Sequence, residues 1–302
     1  MKCFVVNFSK FFLLTLLLMA LVLSGTFFIC STVSFKIPTD KNIIINGDSH
    51  TECAVNDNIF AHAVNISQSG KNYLFTYMEL RKLLEVNPHI NTVLLSFYDN
   101  AIKSRHGFYN NEHLSSKIPA RFPLFQKDDV LCLIDINKKV FYNSILKTPR
   151  LFISLYVFTK NTITYKDLPL GGYKKLNRNR LEYDLELRKN RKITQTPDEV
   201  VRKQQIYTQY EYDYLLKIVK LCREKNVRLI LFNSPTYNSE KYDNKVALMN
   251  FIDNYLSEIE YLDFSDFVLP VDGYGDIGHL NYKGAAIFSQ YLMDNYETIF
   301  GN

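Results

Sequence analysis

Short apolar runs separated by helix-length amphipathic stretches constrain this chain more than any other feature. Ile43–Asn46, Thr92–Phe97 (TVLLSF) and Val227–Phe232 (VRLILF) read as buried strands, and Ala63–Ser67 and Tyr261–Phe264 as shorter ones. Between them lie helical patterns at Thr51 to His62, Asn72 to Val86, Gln204 to Glu224, Val246 to Leu256 and Asn281 to Tyr296. Asn72–Val86 sets Tyr73, Tyr77, Leu80, Leu83 and Leu84 on one side. Gln204–Glu224 does the same with Ile206, Tyr210, Tyr214, Leu215, Ile218 and Cys222. Strands and helices in alternation predict an α/β fold whose parallel sheet is covered on both faces. Such sheets place ligands at the carboxyl ends of their strands. Ser49, Gly70, Asp99, Asn100, Ser234 and His279 all fall just after a strand or just before a helix, so one sheet edge can collect them.

Phe11 to Cys30 (FFLLTLLLMALVLSGTFFIC) carries no charge and is about long enough to cross a bilayer as a helix. Lys2 and Lys10 precede it, which favours a cytoplasmic N-terminus and a periplasmic or extracellular body. The run is long, and no small-x-small cleavage site closes it, so it reads as a signal anchor; a cleaved signal peptide is the alternative. Residues 1–35 then form a cytoplasmic stub, the anchor and the start of a stem, and residues 36–302 the α/β domain. The stretch from about 101 to 203 breaks the strand–helix rhythm. It reads as an insertion, either a lid over the site edge or additional scaffold.

With 47% apolar residues and a net charge of +5, the composition is that of an ordinary globular protein. Much of the charge lies in Lys174–Lys192, where interleaved acids favour a solvated helix face or loop over a polyanion site. Nucleic acid is a poor partner for an exported domain. Of Cys3, Cys30, Cys53, Cys132 and Cys222, only the last three lie beyond the apolar run, so at most one disulfide can form among them. His and Cys never cluster at zinc-like spacing, so no metal site is expected.

Two strings at opposite ends of this body carry chemistry. Gly47-Asp48-Ser49-His50 follows the first strand, and Asp276-Ile277-Gly278-His279 precedes the last helix. A nucleophilic serine needs exposure, a base and donors for the oxyanion. A strand-to-helix turn exposes Ser49 and supplies backbone N–H donors. His279 is the candidate base. Asp276, in a loop loosened by Gly273, Gly275 and Gly278, can reach the other imidazole nitrogen and stabilise the imidazolium. Alone, Gly-Asp-Ser is also an ordinary capped turn, and Asp-x-x-His is commoner still. Their conjunction, in this order, is what points to serine ester chemistry.

On these residues the chain resembles the SGNH, or GDSL-like, hydrolase superfamily. Gly47-Asp48-Ser49 matches its nucleophile block and Asp276–His279 its final Asp-x-x-His block. The resemblance implies a flavodoxin-like three-layer parallel sheet and a triad of Ser49, His279 and Asp276. It also implies oxyanion donors from the Ser49 N–H, Gly70 and an asparagine after the third strand. The family's Gly-x-Asn-Asp is replaced here by Ser96-Phe97-Tyr98-Asp99-Asn100, which leaves Asn100 as the candidate. The anchored, exported layout is similar to the superfamily subset that handles acyl groups on envelope polymers, such as alginate O-acetyltransferases and the D-alanyl transfer protein of teichoic acids. Asn233-Ser234-Pro235 is reminiscent of that subset.

The expected activity is therefore hydrolysis of an acyl ester on a carbohydrate, or acyl transfer to one, without a cofactor. The substrate is an acylated carbohydrate or small ester, and an envelope-assembly protein is a candidate partner. A non-catalytic glycan- or partner-binding module on the same scaffold is the alternative. Asp48 reads as a turn residue and His50 as a packing or capping one. Asp266 and Asp272 lack the right offset to orient His279. His62, His89, His106 and His113 are scattered. Asn65-Ile66-Ser67 is a sequon on a strand and is expected to be silent.

Overall fold

Ile43, Ile44, Ile45, Val93, Leu94, Leu95, Ile230, Leu231 and Phe232 carry no exposed surface, which a strand achieves only when both faces of its sheet are covered. The computed structural model describes residues 2–98, 112–194, 209–237 and 245–301. In chain order the elements are helix α1 (Lys2–Ser31), strand β1 (Ile43–Asn46), α2 (Ser49–Ala54), β2 (Ala63–Asn65), α3 (Tyr73–Val86) and β3 (Thr92–Ser96). Helices α4 (Glu112–Arg121), α5 (Lys127–Ile145), α6 (Thr148–Phe158), α7 (Leu181–Thr194) and α8 (Gln209–Glu224) follow. Then come β4 (Arg228–Asn233), α9 (Lys245–Tyr255), β5 (Glu260–Asp263), α10 (Tyr282–Asp294) and α11 (Tyr296–Phe300).

The chain forms two compact units, Met1–Lys36 with Gly107–Pro169, and Ile37–His106 with Leu170–Asn302. The expected insertion is thus divided, since everything from Leu170 onward belongs with the sheet.

In the sheet unit all strands are parallel, in the order β2-β1-β3-β4-β5. Ile44 lies opposite Val64 on one side and Val93 on the other, and Leu94 faces Ile230. This is the doubly wound order of flavodoxin-like proteins, in which the winding reverses between β1 and β3 and opens a crevice at their carboxyl ends. Caps set the flanking helices. Asn72 accepts the Phe75 N–H to start α3, and the Asn281 side chain accepts the Lys283 and Gly284 N–H groups to start α10.

The helix expected over Thr51–His62 stops at Ala54. The Asn56 N–H is drawn to Ser289 Oγ at 2.8 Å, and the Asn56 side chain accepts the Asn58 N–H at 3.1 Å. These bonds replace helical ones and turn Phe60 into the core, where its ring lies 5.4 Å from that of Phe300. Asn65 is buried, with its amide on the Thr51 and Val55 carbonyls, so the sequon asparagine is not presented to solvent. The expected start of α8, residues 204–208, lies outside the described residues.

In the other unit, Val6–Ser31 of α1 is long and apolar enough to be a membrane anchor or a signal sequence. Its side chains are exposed as far as Leu23, whereas Thr26, Ile29, Cys30, Val33 and Phe35 are buried. Helix α6 packs against α1, and α4 against both α5 and α6.

Candidate active site

The site begins where β1 ends. A Cβ on Gly47 would stand 2.3 Å from Ser96 Cβ and 2.9 Å from Thr51 Oγ1, so only glycine lets the first turn pass this close to β3. Asp48 caps α2 by accepting the His50 N–H at 3.1 Å, and its other carboxylate oxygen accepts from the Tyr98 hydroxyl. Ser49 is thereby the first residue of a helix at the carboxyl end of a central strand.

His279 arrives on a loop closed by an antiparallel bridge between Tyr274 and Leu280. Asp276 Oδ1 accepts the backbone N–H groups of Gly278 and His279, both at 2.9 Å, and contacts His279 Nδ1 at 2.8 Å. A carboxylate only accepts, so Nδ1 carries the proton and Nε2 is left as an acceptor. Nε2 lies 2.9 Å from Ser49 Oγ. The three expected residues are therefore joined in one hydrogen-bonded chain across 230 positions of sequence. Burial opposes ionisation of Asp276. The His279 hydrogen bond, its charge once the imidazole is protonated, the Arg178 cation and the Gly278 N–H outweigh it and hold the carboxyl well below the usual carboxylate range.

Arg178, the ion-pair partner of the second Asp276 oxygen, went unnoticed in the sequence. It sits in the charged stretch read as solvated. A strap over residues 171–180 delivers it. Gly171 has φ +132°, and a Cβ there would stand 2.2 Å from the Ser67 carbonyl oxygen. Gly172 N–H bonds Ser67 O, Lys174 N–H bonds Glu52 O, and Arg180 N–H bonds Gly275 O. The strap thus ties the β2–α3 loop, α2 and the loop that carries Asp276 and His279 together. A basic residue in a charge run carries no local sign of such a role.

Gly70 adopts a left-handed conformation with φ +67°. Its neighbours are fixed on both sides. Glu52 accepts from the N–H and hydroxyl of Ser69. Lys71 Nζ donates to Glu79 at 2.7 Å, to Asn46 Oδ1 at 3.1 Å and to the Ile66 carbonyl. The Lys71 and Glu79 side chains are 1% and 0% exposed. Removing one partner of such a pair strands the other charge, so Lys71→Met is expected to destabilise the fold by about 3–5 kcal/mol. Denaturant melts will show this, with Lys71→Met/Glu79→Leu recovering part of the loss.

Of the two roles expected for His50 the structure shows packing, since Asp48 is the cap. Its ring stacks on His279 with centroids 4.9 Å apart and meets Tyr98 edge-on at 4.6 Å. Asp272 is an exposed residue paired with Lys283, and Asp266 is exposed. Ser234 is buried, and Asn233 bonds Asp263 at 3.3 Å. Asp99 and Asn100 lie outside the described residues. Among the described cysteines, Cys30, Cys53, Cys132 and Cys222 are free thiols. Burial pushes the Cys53 thiol up to about 12, with Glu52 adding to the effect. No described cluster of His, Cys, Asp and Glu is arranged to hold a metal.

A protein-family model matches residues 162–301, the part of the chain that carries Arg178, Asp276 and His279. No curated protein matches the chain. Among solved structures, one from Streptococcus pneumoniae described as a platelet activating factor is 12% identical, with 93% of this chain and 97% of that one covered and a TM-score of 0.37. One described as an acylhydrolase from Bacteroides fragilis NCTC 9343 is 10% identical, with 89% and 93% covered and a TM-score of 0.39. A GDSL-like lipase from Bacteroides thetaiotaomicron VPI-5482 is 8% identical, with 89% and 95% covered and a TM-score of 0.38. Likeness at this level assigns neither an activity nor a substrate.

Proposed function

We propose that this chain is a serine-dependent acyl-ester hydrolase or O-acyltransferase of the SGNH type, acting on a cell-envelope or extracellular glycan. The observation that carries this reading is the unbroken chain from Ser49 Oγ through His279 to Asp276, at 2.9 and 2.8 Å. Ser49 Oγ attacks the acyl carbonyl while His279 Nε2 takes its proton. Asp276 stabilises the imidazolium. The Ser49 N–H, Gly70 N–H and Asn100 hold the oxyanion. Collapse of the tetrahedral intermediate expels the alcohol, which takes its proton from His279, and leaves the acyl group on Ser49. Water then resolves this acyl-enzyme in a hydrolase, and a glycan hydroxyl does so in a transferase. Helix α1 serves as the anchor, with the sheet unit on the periplasmic or extracellular side.

A fluorophosphonate probe tests the nucleophile directly. The full chain is expected to gain one adduct, located at Ser49 by peptide mass spectrometry. An aryl acetate with an oligosaccharide acceptor then separates transfer from hydrolysis. Failure of both labelling and turnover would move a non-catalytic glycan- or partner-binding module ahead.

A further inference from the structure

The helical unit exposes apolar side chains well beyond α1. Val157 is 72% exposed and Phe158 84%, at the last two positions of α6, and Ile153 one turn earlier is 45% exposed. With Arg150 and Ser154 they form the outward stripe of this helix, at the i, i+3, i+4, i+7 and i+8 spacing of one face. A stripe of this kind at a helix tip is not explained by packing within the unit, because the inward side already buries Phe152 completely.

The position of this tip relative to α1 is fixed by the backbone. Lys160 and Asn161 have φ of +52° and +72° and reverse the chain after α6. The chain then pairs in parallel with the segment leaving α1: Ser34 N–H bonds Ile163 O at 2.9 Å, and Tyr165 N–H bonds Ser34 O at 2.8 Å. The turn at the tip of α6 therefore lies beside the segment that leaves α1, against which this helix packs. On α1 itself, Phe27 and Phe28 stay 69% and 61% exposed, although the opposite side of the same turn buries Thr26, Ile29 and Cys30. About 20 helical residues cross a bilayer core, so the uncharged run from Phe11 reaches the far interface near Cys30, with Phe27 and Phe28 in its last turn.

We infer that the tip of α6, with Ile153, Val157 and Phe158, docks into the outer lipid interface beside the point where α1 leaves the membrane. The occupant is the bilayer, because the apolar tip is held beside the end of α1, whose own apolar side chains are exposed along the run that crosses the membrane. Lys160 at the tip has an aliphatic stem that lies along apolar surface while its charge reaches the headgroups. Two contacts with the membrane, one spanning and one interfacial, would set the orientation of the helical unit as a single helix cannot. This inference rests on the proposed role of α1 as an anchor.

The chain contains no tryptophan, so one introduced indole reports its own surroundings. The full chain carrying Phe158→Trp is reconstituted in vesicles of phosphatidylcholine and phosphatidylglycerol, with bromine placed at shallow or deep acyl positions. Leu21→Trp, in the middle of the apolar run, serves as the companion variant. Phe158→Trp is expected to emit at short wavelength, to lose most of its emission to shallow bromine, and to be shielded from aqueous iodide. Leu21→Trp is expected to be quenched most by deep bromine. Quenching of Leu21→Trp without quenching of Phe158→Trp, whose emission then follows iodide, overturns the docking of α6 alone. Absence of lipid quenching at Leu21→Trp overturns the anchor reading and this inference with it.

Discussion

Ser49→Ala is expected to lower ester turnover by about 10⁴-fold or more and to leave the fold in place, because loss of a triad nucleophile removes the covalent path and spares only binding and oxyanion stabilisation. The substitution removes one hydroxyl whose partner, His279 Nε2, belongs to a side chain 23% exposed, so water can take over that hydrogen bond. Neither the Asp48 cap on α2 nor the close passage of Gly47 past Ser96 depends on it. Initial rates on an aryl acetate, with thermal melts alongside, check both halves. Equal rates for the two proteins, with melting unchanged, would remove Ser49 from the chemistry.

Asp276→Asn should cost about 10⁴-fold in turnover through a different route. An asparagine that turns its amide toward His279 shifts the imidazole proton to Nε2, which then cannot accept from Ser49. One that keeps its oxygen there still loses the charge that stabilises the imidazolium and leaves Arg178 without its carboxylate partner. The same carboxyl links stability to pH. Its pKa is lower in the folded than in the unfolded chain, so the folded state binds fewer protons. Its contribution is therefore fully present above the ordinary carboxylate range and is lost as pH falls through about 4 and below. Wild type should be the more stable protein at neutral pH, and its melting temperature should converge on that of Asp276→Asn as the solution is acidified. A gap that persists unchanged to pH 3 would show that Asp276 carries no linked stability.

The strands were legible because short-range chemistry determines them. An uninterrupted run such as Ile43-Ile44-Ile45 is satisfied wherever helices cover both of its faces, and Asn72 and Asn281 announce the helices after them as caps do in isolated peptides. Thr51–His62 failed as a helix for the opposite reason. Its periodicity is real, but the Asn56 N–H finds Ser289, more than two hundred positions away, and that bond outcompetes a local one. Gly-Asp-Ser and Asp-x-x-His were readable as motifs because each is held by bonds within a few residues: Asp48 to the His50 N–H, and Asp276 to the Gly278 and His279 N–H groups.

By itself, then, the sequence determined the parallel α/β architecture, the apolar N-terminal helix and the identity of Ser49, His279 and Asp276 as a candidate set. Each of these follows from residue patterns a few positions long. Only the tertiary structure decided that Arg178 joins Asp276, that Lys71 and Glu79 form a buried pair beside the Gly70 turn, and that His50 stacks on His279. It also set the turn at the exposed tip of α6 beside the segment that leaves α1. Such contacts depend on chain reversals and strand order that bring separate segments together, and no local pattern encodes which charged or aromatic side chain will arrive at the meeting point.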